Sequence, residues 1–182
     1  MQFIIGLGNP ETSFAKTRHN VGFEFLNWFA KELQISFSFQ KKLNADVAKI
    51  RADLLLCKPQ TYMNLSGQAV QAVLKYFSDG ITGQALPFLT VVHDDLDLTL
   101  GSFKIQFGTG PKKHNGLLSI YQHLQTDQFW HVRIGIENRG ELRPKISGEQ
   151  YVLQPFASSE QVVIRDLFFQ IGKDLSHKLE LS

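Results

Sequence analysis

The chain has 182 residues, 43% hydrophobic and 20% charged, with a formal net charge of +2. That composition excludes a disordered chain, a collagen-like repeat and a coiled coil, and the length suffices to bury roughly 70% of the surface an unfolded chain exposes. A lone Cys57 excludes an internal disulfide framework and a multi-cysteine zinc site.

The elements follow in order. Gln2 to Leu7 reads as a short strand ended by the tight loop Gly6-Leu7-Gly8-Asn9-Pro10. Val21, Phe25, Leu26, Phe29 and Leu33 predict a helix from about Arg18 to Leu33. Ile35 to Phe39 alternates as a half-buried strand, and Asp46–Ile50 with Asp53–Lys58 predicts a hairpin across Arg51-Ala52. Leu65, Ala69, Val70, Val73, Leu74 and Phe77 form a helical stripe that either Asn64 or Ser66 could cap. Leu86 to His93 is a continuous apolar run stopping in acidic residues, as expected of a central strand buried on both faces. Ser102 to Phe107 alternates and leads into a Gly/Lys loop, a helix over Asn115–Leu124 and a strand over Trp130–Ile136. The last helix, about Ser158 to Leu175, is expected to bury Val162, Val163, Leu167, Phe168 and Ile171. Crossovers mixed with hairpins predict one three-layer α/β domain over residues 1–182, its mixed twisted sheet flanked by helices.

No apolar run approaches the roughly 20 residues a bilayer requires; Leu86–Val92 is broken by Pro87 and Thr90. The first residues lack a basic signal region, so the expected compartment is the cytoplasm. Charge is unevenly placed: residues 104–145 carry +4 and the remainder −2. Such a basic region suits a phosphate backbone, although a solvated lysine-rich face would look the same.

Five constellations could bear chemistry. Gly6-Leu7-Gly8 begins like a dinucleotide turn, but Glu11 stands where the third glycine belongs, so that reading is rejected. In Thr17-Arg18-His19-Asn20, a histidine at a helix start is expected to have a lowered pKa and to accept a proton; a surface or capping role is the bland alternative. His93-Asp94-Asp95-Leu96-Asp97 invites a metal, yet no second acidic cluster or Cys/His pair elsewhere is seen to complete a ligand set, so no metal is expected. One of these carboxylates is better used to hold a histidine in its basic tautomer, while Asp95 or Asp97 satisfies backbone amides in a turn. Lys112-Lys113-His114-Asn115-Gly116 and Thr61-Tyr62-Met63-Asn64-Leu65-Ser66-Gly67 are loops entering helices, where amides suit an anion or an oxyanion and where Asn115 could simply cap. A neutral histidine, a carboxylate and several asparagines, with no protein nucleophile, suit activation of water against an acyl or ester carbon.

These five blocks, with Arg133-Ile134-Gly135-Ile136, resemble in order and spacing the motifs of the bacterial peptidyl-tRNA hydrolase family over residues 2 to about 156. The resemblance implies a monomeric esterase without cofactor or metal that frees tRNA from a nascent peptide and binds both the acceptor end and the phosphate backbone. By motif, His19 would be the general base and Asp94 its brace. Asn9 and Asn115 would act at the reaction centre, Asn9 on the peptide and Asn115, with Asn64, on the carbonyl or water. Tyr62, Met63 and His114 would line the cleft, and Lys104 and Arg133 would hold phosphates. Phe14 replaces a usual tyrosine at a substrate-binding position, without its hydroxyl contact, and Gln106 a usual lysine, while Gly110-Pro111-Lys112-Lys113 replaces a glycine-rich lid; Lys112, Lys113 and Arg139 are expected to compensate for Gln106. The alternative is a non-catalytic RNA-binding relative of the same fold, which has no need to retain all of His19, Asp94, Asn9, Asn64 and Asn115.

Overall fold

The computed structural model describes residues 1–78 and 83–180. Its strands are β1 (Gln2–Gly6), β2 (Ser38–Gln40), β3 (Ala45–Arg51), β4 (Leu54–Pro59), β5 (Leu86–Thr99), β6 (Phe103–Phe107) and β7 (Phe129–Glu137). Its helices are α1 (Val21–Glu32), α2 (Ser66–Phe77), α3 (Asn115–Leu124), α4 (Gly148–Val152) and α5 (Ser158–Lys178). The strands form one sheet in the order β2-β3-β4-β1-β5-β7-β6. Neighbours β4, β1, β5 and β7 run parallel, while β3 and β2 on one side and β6 on the other are antiparallel. The mixed sheet expected from the sequence is therefore observed.

The pleat explains the three layers. Along β1 and β4, Ile4, Leu54 and Leu56 join one core with Phe25, Leu26 and Phe29 of α1 and Ile164, Leu167 and Ile171 of α5. Their neighbours Phe3, Ile5, Leu55 and Cys57 join the other, with Val70 and Val73 of α2 and Leu117 and Ile120 of α3. Successive side chains point to opposite faces, so a strand covered on both must be apolar throughout. Each fully buried side chain of this size stabilises the fold by about 1.5–3 kcal/mol.

Several expectations are corrected. Residues 35–37 are not a strand: only Ser38–Gln40 pair, and all three are exposed, while Ile35 and Phe37 pack on the core from the connection. The strand β5 does not stop at the acidic residues but runs to Thr99, because β7 pairs with it through Asp95 and again at Thr99. In α5 the buried stripe is Ile164, Leu167, Phe168, Ile171 and Leu175, whereas Val162 and Val163 are exposed. Neither Asn64 nor Ser66 caps α2; its N-cap is Leu65, and the Ser66 hydroxyl donates backwards to the Met63 carbonyl. The short helix α4 is absent from the sequence reading. Among the described residues no helix is long and apolar enough to cross a membrane.

Two close approaches set the loops that later converge. A Cβ on Gly22 would lie 2.4 Å from the Val92 carbonyl oxygen, so α1 sits directly on β5. A Cβ on Gly67 would lie 2.1 Å from the Ser119 carbonyl oxygen, and the Gly67 N–H donates to Ser119 Oγ at 3.1 Å. This contact locks the first turn of α2 against α3. Gly67→Ala is expected to destabilise the protein by about 1–3 kcal/mol through forced separation of the two helices. A urea titration checks it; an unchanged midpoint would contradict the close contact.

Candidate active site

The C-terminal ends of the parallel strands gather the informative loops, as open α/β sheets do. Residues Asn9, His19, Tyr62, Met63, Asn64, Asn115, Glu149, Val152 and Leu153 line a cleft of about 390 Å³ there. Six of these are residues singled out by the sequence; Glu149, Val152 and Leu153 come from α4 and its end, which carried no motif. Phe14 is not among the lining residues: it is half-buried in the 3-10 turn Thr12–Phe14.

His19 stands in a 3-10 turn (Arg18–Asn20) that enters α1. Its neighbours hold it from both sides. Arg18 is buried, donating from Nη2 to Glu160 Oε2 at 2.6 Å and from Nη1 to the Pro155 carbonyl at 2.8 Å. Asn20 accepts from the Asn9 N–H and donates to the Asn9 carbonyl, both at 2.9 Å, tying the first loop to the histidine turn. Asn9 Oδ1 in turn accepts from the Met63 N–H at 2.8 Å, which fixes the amide orientation and leaves Nδ2 as a donor. Among the described residues, Asn9 Nδ2 and the side chains of Asn64 and Asn115 make no hydrogen bond to the protein.

The centre is a carboxylate shared by two imidazoles. Asp94 Oδ1 accepts from His19 Nδ1 at 2.7 Å and from His114 Nε2 at 3.0 Å. The tautomers follow from the network. His114 Nδ1 accepts the Leu117 N–H at 3.3 Å, so its proton is on Nε2. His19 has its proton on Nδ1, and its Nε2, without a protein partner, is left to the cleft. His114, not Asn115, is thus the N-cap of α3, and its ring also packs 5.0 Å from that of His19.

The pKa directions correct one expectation. Burial pushes the His19 imidazole down, but the field of Asp94 and its hydrogen bond outweigh burial, and the net direction is up. The helix start does not decide it. For Asp94, burial alone would raise the carboxyl, yet the two imidazoles hold it well below the usual carboxylate range. Asp95 does satisfy a backbone amide, that of Asp97 at 2.8 Å, and its other oxygen accepts from Arg133 Nε at 2.7 Å.

One donor atom each from His19, Asp94 and His114 lies within 4.8 Å of the others, a pair of histidines that sequence spacing did not disclose. These atoms face one another through protons already placed. A cation on His114 Nε2 would move that ring's proton to Nδ1, against the Leu117 N–H it now caps, so the trio fits a hydrogen-bonded brace better than a metal.

Lys104, Lys112, Lys113 and Arg133 are not among the residues described as lining the cleft. Lys104 on β6 is exposed and stands opposite Arg133 on β7. Arg133 is buried, its Nε on Asp95 and its Nη1 on Gln106 Oε1 at 2.8 Å, so Gln106 orients a guanidinium instead of presenting a charge. Lys112 and Lys113 are exposed in the loop entering α3. His93, singled out in its motif but given no role, and His131, which carried no motif, are fully buried and joined Nε2 to Nδ1 at 3.2 Å.

The sequence model of one protein family, described as peptidyl-tRNA hydrolase, matches residues 3–180. The peptidyl-tRNA hydrolase of Aromatoleum aromaticum is 39% identical over 161 residues, covering 88% of this chain and 78% of that one. That of Rickettsia bellii is 38% identical over 185 residues, covering 99% and 94%. The crystal structure of peptidyl-tRNA hydrolase from Acinetobacter baumannii superposes with a TM-score of 0.81 at 31% identity, covering 95% of this chain and 85% of the other.

Proposed function

Since this chain belongs to the peptidyl-tRNA hydrolase family, an enzyme family acting on peptidyl-tRNA, we propose that His19 Nε2 is the general base of the hydrolysis and Asp94 its brace. A water beside Nε2 gives up a proton as its oxygen attacks the ester carbonyl carbon. The carbonyl electron pair moves onto oxygen, where side-chain N–H donors of Asn115 and Asn64 meet it, while Asn9 Nδ2 engages the peptide. Collapse breaks the bond to the ribose 3′ oxygen, which takes the proton from His19. Asp94 keeps the imidazole in the tautomer that exposes Nε2 and stabilises the cation formed in between.

The observation that carries this reading is the 2.7 Å bond from His19 Nδ1 to Asp94, with the opposite nitrogen left to a cleft that also presents three asparagines. Tyr62, Met63 and the ring of His114 shape the walls. The same reading takes the chain as a monomeric single catalytic domain without cofactor, and a substrate made by translation places it in the cytoplasm. The test is release of free tRNA from N-acetyl-aminoacyl-tRNA by the wild type; binding without turnover would favour the non-catalytic alternative.

Phosphate contacts are assigned to Lys104, Lys112 and Lys113, with Nη2 of Arg133 as an inner donor. The double variant Lys112→Ala, Lys113→Ala is expected to bind tRNA more weakly and to lower the slope of log K against log salt by roughly 1 to 2. Filter binding across a salt series measures this, and an unchanged slope would remove both lysines from the interface.

A further inference from the structure

The cleft joins two layers of the fold. Met63 belongs to the core on one face of the sheet and Val152 to the core on the other, and both line the cleft. The Met63 side is tied to the reaction centre through Asn9, whose Oδ1 accepts from the Met63 N–H. The Val152 side needs a tie of its own, because α4 has only five residues and loops lead into and out of it. That tie is the chain just before His19. The Arg18 N–H donates to the Gln154 carbonyl at 3.0 Å, the Phe156 N–H donates to the Lys16 carbonyl at 3.3 Å, and Thr17 pairs with Pro155 as an isolated antiparallel bridge.

The Arg18 side chain spans the same junction. Its Nη1 donates to the carbonyls of Gln154 at 3.2 Å and Pro155 at 2.8 Å, and its Nη2 to Glu160 Oε2. The ring of Tyr151, in α4, lies under the guanidinium with its centroid 4.0 Å from Cζ. Glu160 is itself fixed: Oε2 also accepts from the Ala157 N–H at 2.8 Å, and Oε1 accepts from Asn138 Nδ2 at 2.9 Å. Fold stability does not account for this arrangement. Both side chains of the ion pair are 7% exposed, and the attraction within so buried a pair typically does no more than offset the desolvation of its charges. Arg18 Nε is buried without a hydrogen-bond partner among the described residues, which adds to the cost. What the guanidinium supplies, and an apolar pair of similar volume would not, is a planar fork of donors that fixes two backbone segments at once.

We infer that Arg18 is a positioning residue for the reaction: anchored by Glu160, its guanidinium sets the His19 turn and the Val152–Leu153 wall of the cleft as one unit. The inference deepens the functional reading above and rests on it. Arg18 does not line the cleft, so it acts through its neighbours: substrate seated against the wall finds the base at a fixed distance, and a shift of either displaces the other.

The test sets rate against stability in two variants. In Arg18→Met, Glu160→Gln no charge is left unpaired and the amide can still accept from the Ala157 N–H, so the urea midpoint should stay near that of the wild type. With the fork gone, kcat on N-acetyl-aminoacyl-tRNA is expected to fall by about 10- to 10²-fold, the loss typical of groups displaced by up to about 1 Å. Glu160→Gln alone keeps the fork but leaves a buried cation unpaired, so its urea midpoint should drop while kcat falls by no more than about threefold. A purely structural role would make rate follow stability across the two, and that result, or a wild-type kcat in the double variant, overturns the inference. The acid limb of kcat/KM against pH should stay in place in the double variant, because Asp94 and His114 are untouched; a displaced limb would put the loss in the Asp94 brace and overturn it too. The wall is read by Leu153→Ala, expected to raise KM about three- to tenfold in the wild type and less than about twofold in the double variant. Equal effects in both backgrounds would separate the wall from Arg18 and overturn the single unit. Absence of turnover by the wild type would instead overturn the hydrolase reading itself.

Discussion

His19→Ala is expected to slow hydrolysis of N-acetyl-aminoacyl-tRNA by about 10²- to 10⁴-fold, the usual contribution of a positioned base, while tRNA binding is retained. Of the three titratable side chains lining the cleft, His19 offers a ring nitrogen without a protein partner, Tyr62 donates its hydroxyl to Glu11, and Glu149 lies with the apolar wall of α4. Removing the ring also takes one of the two N–H donors from a buried carboxylate, leaving Asp94 with His114. That loss is expected to lower stability by about 1.5–3 kcal/mol, as for hydrogen bonds to charged groups, so slow turnover alone would be ambiguous. His19→Asn separates the two effects. An asparagine amide can donate to Asp94 from near the Nδ1 position but has nothing basic at Nε2, so stability should recover while the rate stays low. Single-turnover release of tRNA, read beside a urea titration of each variant, makes the comparison. A rate for His19→Asn within tenfold of the wild type would dismiss His19 as the base.

How far this site was legible depended on how local each signal was. The helix over Asn115–Leu124 and the hairpin of β3 and β4 are read from adjacent residues, and both are found where expected. A continuous apolar run identified β5 as central, but not its length: what carries it past Asp95 is pairing with β7, a partner about forty residues away. The alternation of Ile35 to Phe39 misled because it lies beside an edge strand of three residues, where the apolar side chains pack inward from a connection and no sheet face demands the period. In α5 two adjacent valines drew the predicted stripe one position away from Ile164, which is buried.

The site divided in the same way. Loop-to-helix junctions with asparagine are visible in sequence, and Asn9, Asn64 and Asn115 do share the cleft. The bond between residues 19 and 94 is not local, and only the family resemblance joined them. His114 was grouped with its loop, yet it both caps α3 and completes the brace, a double role that follows from which nitrogen faces Leu117. Glu149, Val152 and Leu153 carry no motif; they enter the cleft because the chain segment before α5 is tied to Arg18 through the carbonyls of Gln154 and Pro155.

Asp94→Asn keeps the shape of that brace and removes its charge, and two separate consequences are expected. The first is kinetic. The neutral amide oxygen can still accept from His19 and His114, but it no longer stabilises the imidazolium formed as water is deprotonated, and kcat should fall by roughly 10²- to 10⁴-fold. With the carboxylate gone, burial is the remaining influence on His19, so its pKa should drop from above its ordinary value to below it. The acid limb of kcat/KM against pH therefore moves to lower pH in the variant even as the plateau falls; a limb that stays in place would mean that another group is the base. The second consequence is thermodynamic. Asp94 titrates below the usual carboxylate range in the folded protein, so its contribution is present above the unfolded pKa of about 4 and is lost as pH falls through the folded value. His19 titrates above its ordinary value, so its contribution is present below about pH 6.5 and is lost as pH rises through the folded value. Both belong to one ion pair, and the stability gap between wild type and Asp94→Asn should be widest between about pH 4 and 6.5. It should narrow on either side in urea titrations from pH 3 to 9, whereas a gap independent of pH would mean that the carboxylate is held by hydrogen bonding alone and that no imidazolium forms beside it.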